Sequence, residues 1–262
     1  MSRERSWLIQ RWLPAEPGRL LDAGCSRGDD TAVYAQAALL TCGIDVDNED
    51  IAAASAAYPG IEFQVAACEA IPYPDESFDT VVCADVIEHV GDEVRALSEI
   101  RRVLSPGGLL ILNSPHRGWF DWLDPVNYPR RLGPWLWRRA PRIYESLARH
   151  TQDLAPGGRP GLLREAEHRH YSSVDLERLL TAAGWEPLRV DRVARTGGLF
   201  YALWQNVAYF ASLVLRPVPR VHGAVLSLAG RIGHLDYRVP WGRAAFNVAI
   251  QIRRGETRGE RG

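Results

Sequence analysis

The stretch LLDAGCSRG, Leu20 to Gly28, holds the first spacing in this chain that could do chemistry. An apolar run ends in Asp22. Gly24 and Gly28 follow, with Cys25 and Ser26 between them, and the helix-like run DDTAVYAQAALL (Asp29 to Leu40) comes next. Strand, glycine turn and helix in that order bring backbone N–H groups to a ligand at a helix N-terminus. Gly24 and Gly28 lack a Cβ, so the main chain can come close. About twenty positions on, Asp45 ends the run TCGID, with Val46 beside it. A carboxylate there can accept two hydroxyl hydrogen bonds, as a ribose diol requires.

Alternating elements must position these groups. Arg3–Leu13 reads as an amphipathic helix stopped by Pro14 and Pro17. Strands are predicted at Arg19–Asp22, Thr41–Val46, Glu62–Ala66, Asp79–Ala84 and Leu109–Asn113, with helices at Asp29–Leu40, Glu49–Tyr58 and Asp92–Leu104, the last stopped by SPGG. The continuous apolar strands fit a parallel sheet covered on both faces, and the rhythm indicates right-handed βαβ units. The predicted fold is α/β: a doubly wound, mostly parallel Rossmann-like sheet with a helical insert or lid. Ligands of such a sheet sit at the C-terminal strand ends. That adds Cys68 and Glu69 after strand three, and Asp85, Val86 and His89 after strand four, to the candidates.

The rhythm breaks after Ser114. Residues 115–169 are rich in Trp, Pro and Arg and read as the insert or lid. The core returns over 170–195, with a capped helix in YSSVDLERLLTAAGW and a strand at Glu186–Val193. Residues 196–243 carry two apolar helical segments, the first at 199–215, and 244–262 hold a last strand and a disordered tail. The core itself is 1–114.

All 31 Lys+Arg residues are arginine. Residues 1–114 hold 8 Arg and 19 Asp+Glu, a balance of −11; residues 115–262 hold 23 Arg and 13 Asp+Glu, a balance of +10. The basic half, where Trp119, Trp122, Trp135 and Trp137 cluster with Arg130, Arg131, Arg138 and Arg139, is suited to an anionic surface such as a lipid head group. The 199–215 run is at the short limit for spanning a bilayer and reads as a buried helix, a dimer face or a patch lying on a membrane. The N-terminus shows no signal-peptide pattern. Four singly spaced cysteines read as reduced packing residues, not a disulfide frame or zinc site. His168 and His170, with Glu165 and Glu167, match no metal-ligand spacing, so no metal is expected. The chain is read as cytoplasmic, with contact at the inner face of the membrane as an extension of that reading.

LLDAGCSRG, GIDVD, ACEAIPYPDESFDTVVCADVIEHV and LSEIRRVLSPGGLLILNSP together resemble the class I S-adenosylmethionine-dependent methyltransferases, in particular the small-molecule type 11-like group. The resemblance covers Arg19–Ser114 and returns weakly in HRHYSSVDLERLLTAAGWEPL. It implies S-adenosylmethionine as cofactor, held by Asp22, Gly24, Cys25, Ser26, Gly28, Asp45, Val46, Cys68, Glu69, Asp85 and Val86. Two positions depart from the family pattern. Ser26 stands where a glycine is usual, and Ala67 stands where a carboxylate commonly takes the adenine amino group. Losing that one hydrogen bond costs roughly 0.5–1.5 kcal/mol. A dehydrogenase reading shares the turn and the acid but needs a third glycine that this chain lacks.

His89 and His116 lie after central strands, and a histidine there can take a hydroxyl proton near neutral pH. The expected reaction is O-methylation of a small-molecule, glycan or lipid-linked acceptor. The alternatives are an RNA methyltransferase using the basic half, although no RNA-binding module is recognisable, and a non-catalytic partner protein of the same fold. A homodimer is a further expectation.

Overall fold

The computed structural model describes residues 3–119, 169–185, 189–196 and 247–255, with single positions between them. The chain divides into two compact units. One comprises residues 5–115, 171–194 and 248–262; the other comprises 1–4, 116–170 and 195–247.

In chain order the elements are α1 (Arg3–Trp12), β1 (Arg19–Ala23), α2 (Asp29–Tyr34), β2 (Leu40–Asp45), α3 (Asn48–Ala57), β3 (Glu62–Val65), β4 (Phe78–Ala84), α4 (Glu93–Val103), β5 (Leu104–Pro115), α5 (Ser173–Ala182), β6 (Arg189–Thr196) and β7 (Asn247–Arg253). They build one seven-stranded sheet in the order β3-β2-β1-β4-β5-β7-β6. The ladders β3·β2, β2·β1, β1·β4 and β4·β5 are all parallel. The strand order reverses between β1 and β4, so the crevice at a doubly wound sheet's switch point opens beyond their C-terminal ends. The predicted mostly parallel, doubly wound sheet is therefore the observed one.

The core follows from the apolar runs. Leu20, Leu21, Val81, Val82, Leu110, Ile111 and Leu112 are fully or nearly fully buried, as strands covered on both faces must be. Helix α4 buries Ala96, Leu97, Ile100 and Val103, one helical stripe, against this sheet. Ser172 and Asp175 form a capping box at the start of α5. Trp185, just past that helix, donates its indole N–H to Leu97 O at 3.0 Å and ties α5 to α4.

Several boundaries differ from the sequence reading. Helix α2 stops at Tyr34, not Leu40. Two tight turns follow, and Leu39 N–H donates to Gly18 O at 2.9 Å, which starts β2 one residue early. Strand β5 begins at Leu104, so SPGG is not a stop before a strand but an excursion within one. Phe78 pairs with Leu104 and Thr80 with Leu109, and the extra residues bond to Arg254 through Gly107 and Gly108. Strand β6 runs to Thr196, three residues beyond the predicted end. Arg253 and Arg254, expected in the disordered tail, are instead ordered: Arg253 ends β7 and Arg254 bonds to the SPGG excursion. Trp122, Trp137, Arg130, Arg131, His168, Glu165, Glu167, most of the 199–215 run and residues 256–262 lie outside the described residues.

Candidate active site

The turn after β1 is built on left-handed backbone. Gly24 (φ 86°), Ser26 (φ 46°) and Gly28 (φ 79°) all have positive φ. Gly24 and Cys25 both donate their N–H to Ile44 O of β2, at 2.8 and 2.9 Å. The glycines are dictated first by the chain's own packing. A Cβ on Gly24 would stand 2.1 Å from Val86 Cγ2, and one on Gly28 would stand 2.7 Å from Phe63 Cζ. Neither space is open, so the absence of Cβ lets the turn nest against β3 and the loop after β4. Ser26 accepts the left-handed conformation because its polar groups are used: N–H donates to Asp45 Oδ2 at 2.8 Å and Oγ to Asp50 Oδ2 at 2.7 Å.

Asp45 is thereby fixed at the end of β2. Its Oδ1 accepts from Asp47 N–H at 3.0 Å, and each carboxylate oxygen keeps room for a second donor. Val46 beside it is 71% exposed, an apolar side chain left open at the strand ends. Asp22 lies beneath the turn. It is buried and accepts from Thr31 Oγ1 of α2 at 2.6 Å. Burial pushes its carboxyl up to about 7, against the Thr31 hydrogen bond, with Asp30 and Asp45 adding like charge. The thiols are buried as well, and burial raises that of Cys68 to about 12, so they behave as packing groups rather than nucleophiles.

The loop after β4 is held from every side. Asp85, itself at φ 54°, donates its N–H to Asn113 O at 2.9 Å, while Asn113 Nδ2 donates to Asp85 Oδ1 at 2.5 Å. Val86 packs on Gly24. Ser114 Oγ donates to the buried Glu88 carboxylate at 3.0 Å. Gly91 N–H donates to Glu69 Oε1 at 2.8 Å. Tyr171 closes the far side with hydroxyl bonds to Ile87 O and Glu93 Oε1. Asn113, Ser114 and Tyr171 were not among the sequence candidates, because no local pattern marks a strand-end residue that meets a loop 28 positions earlier.

His89 is exposed, on the turn closed by its own N–H to Val86 O at 2.8 Å. His116 belongs to the other compact unit, where it is buried with Nδ1 3.1 Å from Ala245 O. A carbonyl only accepts, so that contact places a proton on Nδ1. Among the described residues, no three His, Cys, Asp or Glu side chains gather as a metal site, and no helix is long and apolar enough to cross a membrane.

Residues 21–112 match the family described as a methyltransferase domain. The chain is 37% identical over 200 residues to a protein named probable S-adenosylmethionine-dependent methyltransferase from Mycolicibacterium smegmatis, covering 73% of this chain and 77% of that one. The chain belongs to the S-adenosylmethionine-dependent methyltransferases. It is also 35% identical over 121 residues to the ubiquinone/menaquinone biosynthesis C-methyltransferase UbiE of Geotalea daltonii, across 42% of this chain and 52% of that one. Among solved structures, the [4+2]-cyclase SpnF superposes with a TM-score of 0.59 at 18% identity, covering 96% of this chain and 80% of that chain. That likeness concerns fold alone, since one scaffold hosts different reactions.

This methyltransferase uses S-adenosylmethionine, and the strand ends suit it. The cofactor carries a net positive charge, and the carboxylates of Asp45 and Asp50 gather around Ser26 of the glycine turn, with Asp47 beside them. A ribose needs a paired acceptor, which the fixed Asp45 offers. An adenine needs an apolar face, which Val46 leaves open.

Proposed function

We propose that the crevice beyond β1, β2 and β4 holds S-adenosylmethionine, and that its methyl group goes to an oxygen of a small-molecule, glycan or lipid-linked acceptor. The observation supporting this reading is the tie from Gly24 through Val86 to His89, which sets a titratable base on the loop that packs against the glycine turn. The cofactor supplies a methyl on a sulfonium, ready for in-line displacement. Asp45 takes the ribose diol and Val46 faces the ring. The turn at Cys68 and Glu69 flanks the base, in place of the carboxylate that Ala67 lacks. Asp22, Cys25, Ser26 and Gly28 shape the turn, and Asp85 and Val86 bound the methionine end. An oxygen acceptor must lose its proton as the methyl arrives, and His89 or the oriented His116 removes it. The segments 115–169 and 196–243 select the acceptor.

A second reading is C-methylation, favoured by the named activity of the Geotalea daltonii relative. A phenolic acceptor would still give its proton to a base but would take the methyl on a ring carbon. Labelled methyl separates the two. The enzyme is incubated with methyl-labelled cofactor and with lipid and aqueous extracts in parallel. Label released as methanol by alkali or as methyl iodide by hydriodic acid marks an oxygen acceptor. Label retained through both treatments marks carbon and sinks the oxygen reading.

A peripheral membrane contact extends the proposal toward a lipid-linked acceptor. Trp135, Arg138, Arg139 and Arg142 are each helical and exposed, and they recur three and four positions apart in the sequence. Trp119 is 70% exposed beside the exposed Arg117. Indole rings beside guanidinium groups suit a head-group layer.

A further inference from the structure

We infer that Asn113 is a positioning residue that aims the Asp85 carboxylate, and that this carboxylate makes the crevice prefer the sulfonium-bearing cofactor to its demethylated product. The inference rests on the reading that the crevice holds the cofactor.

Asn113 lies near the end of β5, paired with Ala84 at the end of β4, and is 1% exposed. Its Nδ2 is spent on Asp85 Oδ1, and its main-chain oxygen accepts the Asp85 N–H. The remaining side-chain atom, Oδ1, is buried and accepts no hydrogen bond among the described residues. A buried amide whose oxygen is left unmet is poorly explained as a stabilising device. Its work in the structure is to grip Asp85 by backbone and side chain together. Asp85 needs that grip, because a non-glycine residue at φ 54° sits in a sparsely populated region that the surroundings must hold.

The topology says which end of the cofactor this carboxylate meets. Strand β1 lies between β2 and β4, and Ala23 pairs with Cys83. Asp45 stands beyond β2, on one side of the glycine turn; Asp85 stands beyond β4, on the other. A cofactor with its ribose on Asp45 extends its amino-acid arm over β1 toward β4. On that arm S-adenosylmethionine has a positive sulfur, and S-adenosylhomocysteine has a neutral one. The ammonium and carboxylate are common to both. A fixed negative charge there separates the two ligands by the sulfur alone, and a carboxylate free to turn toward water separates them less.

The test is calorimetric titration of the full chain with each ligand, which needs no acceptor. The variants are Asn113→Ala, Asn113→Asp, which sets a second carboxylate against the first, and Asp85→Asn, which keeps the shape and removes the charge. Thermal melts report whether each is folded. Asp85→Asn is expected to cut the preference for S-adenosylmethionine over S-adenosylhomocysteine roughly tenfold, the size of one charge-assisted interaction. Asn113→Ala and Asn113→Asp should lower the same ratio, while affinity for the product changes little. A ratio that stays at the wild-type value, or two affinities that fall by one common factor, overturns the inference and leaves Asn113 a structural residue. Wild-type protein that binds neither ligand overturns the cofactor reading instead.

Discussion

Val86 fills the space that a side chain on Gly24 would need: its Cγ2 would lie 2.1 Å from a Cβ built there. The glycine turn and the loop after β4 are thus one packed unit, and the order of one depends on the other. Gly24→Ala should therefore destabilise the protein by about 2–4 kcal/mol, from overpacking and from the φ of 86° together. Adding Val86→Ala should recover the overpacking share but not the backbone share. Denaturant unfolding of both single variants and the double variant reads this coupling. Strict additivity of the two substitutions would show that the contact is not the cause.

Asp22 predicts a pH dependence with a definite sign. Its carboxyl rises from the ordinary 3.8 to about 7 on folding, mainly because burial disfavours the charge. Between those values the folded chain holds a proton that the unfolded chain has lost, so stability falls as pH rises through that window. The loss amounts to about 4 kcal/mol at most by pH 8. Asp22→Asn can still accept from Thr31 and has no proton to lose. The variant should match wild type near pH 4 and exceed it at pH 8, in the absence of cofactor. Parallel unfolding curves at every pH would rule out Asp22 as the source.

One stretch that carries the family resemblance, the loop Pro72–Ser77 (PYPDES), is tied to the fold. Arg102 grips the PYPDES loop from α4: it donates to Ile71 O, Tyr73 O, Asp75 and Glu99 at 2.8–2.9 Å. This loop enters β4 from its N-terminal end, opposite the strand ends where ligands sit. Arg102→Met should cost about 1–3 kcal/mol of stability, since two carbonyls and two carboxylates lose a charged donor. Cofactor affinity at 25 °C should stay within about twofold of wild type. A large loss of affinity in a folded variant would place this loop in the binding machinery.

What the sequence made legible was local. Apolar runs gave the five parallel strands, and the spacing from Gly24 to Asp45 gave the turn and the acid that hold each other through Ser26. What it hid was long-range. Ala35 to Leu39 has helix-forming composition, yet the bond from Leu39 to Gly18 stops the helix and starts β2. The SPGG excursion is shaped by Arg254, far along the chain. Asn113 meets Asp85 only because β5 lies next to β4. The glycines were found for a reason that was incomplete, because the neighbours that exclude a Cβ, Val86 and Phe63, come from other elements.

The two candidate bases call for different outcomes. His89 is exposed, so His89→Ala should leave the fold and cofactor affinity within error of wild type while turnover falls roughly 100-fold. His116 is buried and bonded to Ala245, so its removal should lower stability as well. Its replacement by Gln keeps a donor for the carbonyl but supplies no base. If His116→Gln retains full turnover and His89→Ala does not, the base is His89; the reverse assigns it to His116. Full turnover in both variants would remove general-base catalysis from the proposal.

The exposed arginines make a prediction about lipid. Arg138, Arg139 and Arg142 are exposed helical residues with Trp135 at the same spacing. Each arginine near an anionic bilayer contributes about 1 kcal/mol, so reversing nothing but these three to glutamine should weaken binding to phosphatidylserine vesicles by roughly 100-fold. The attraction is screened over about 8 Å at physiological salt, so raising the salt should weaken wild-type binding more than that of the triple variant. Trp135→Ala should act differently. It removes apolar insertion rather than charge, so it should lower binding to anionic and neutral vesicles by the same factor. Flotation with both vesicle types separates the two effects. Wild-type protein that floats with neither, while binding RNA with a steep salt dependence, would hand the basic half to nucleic acid instead.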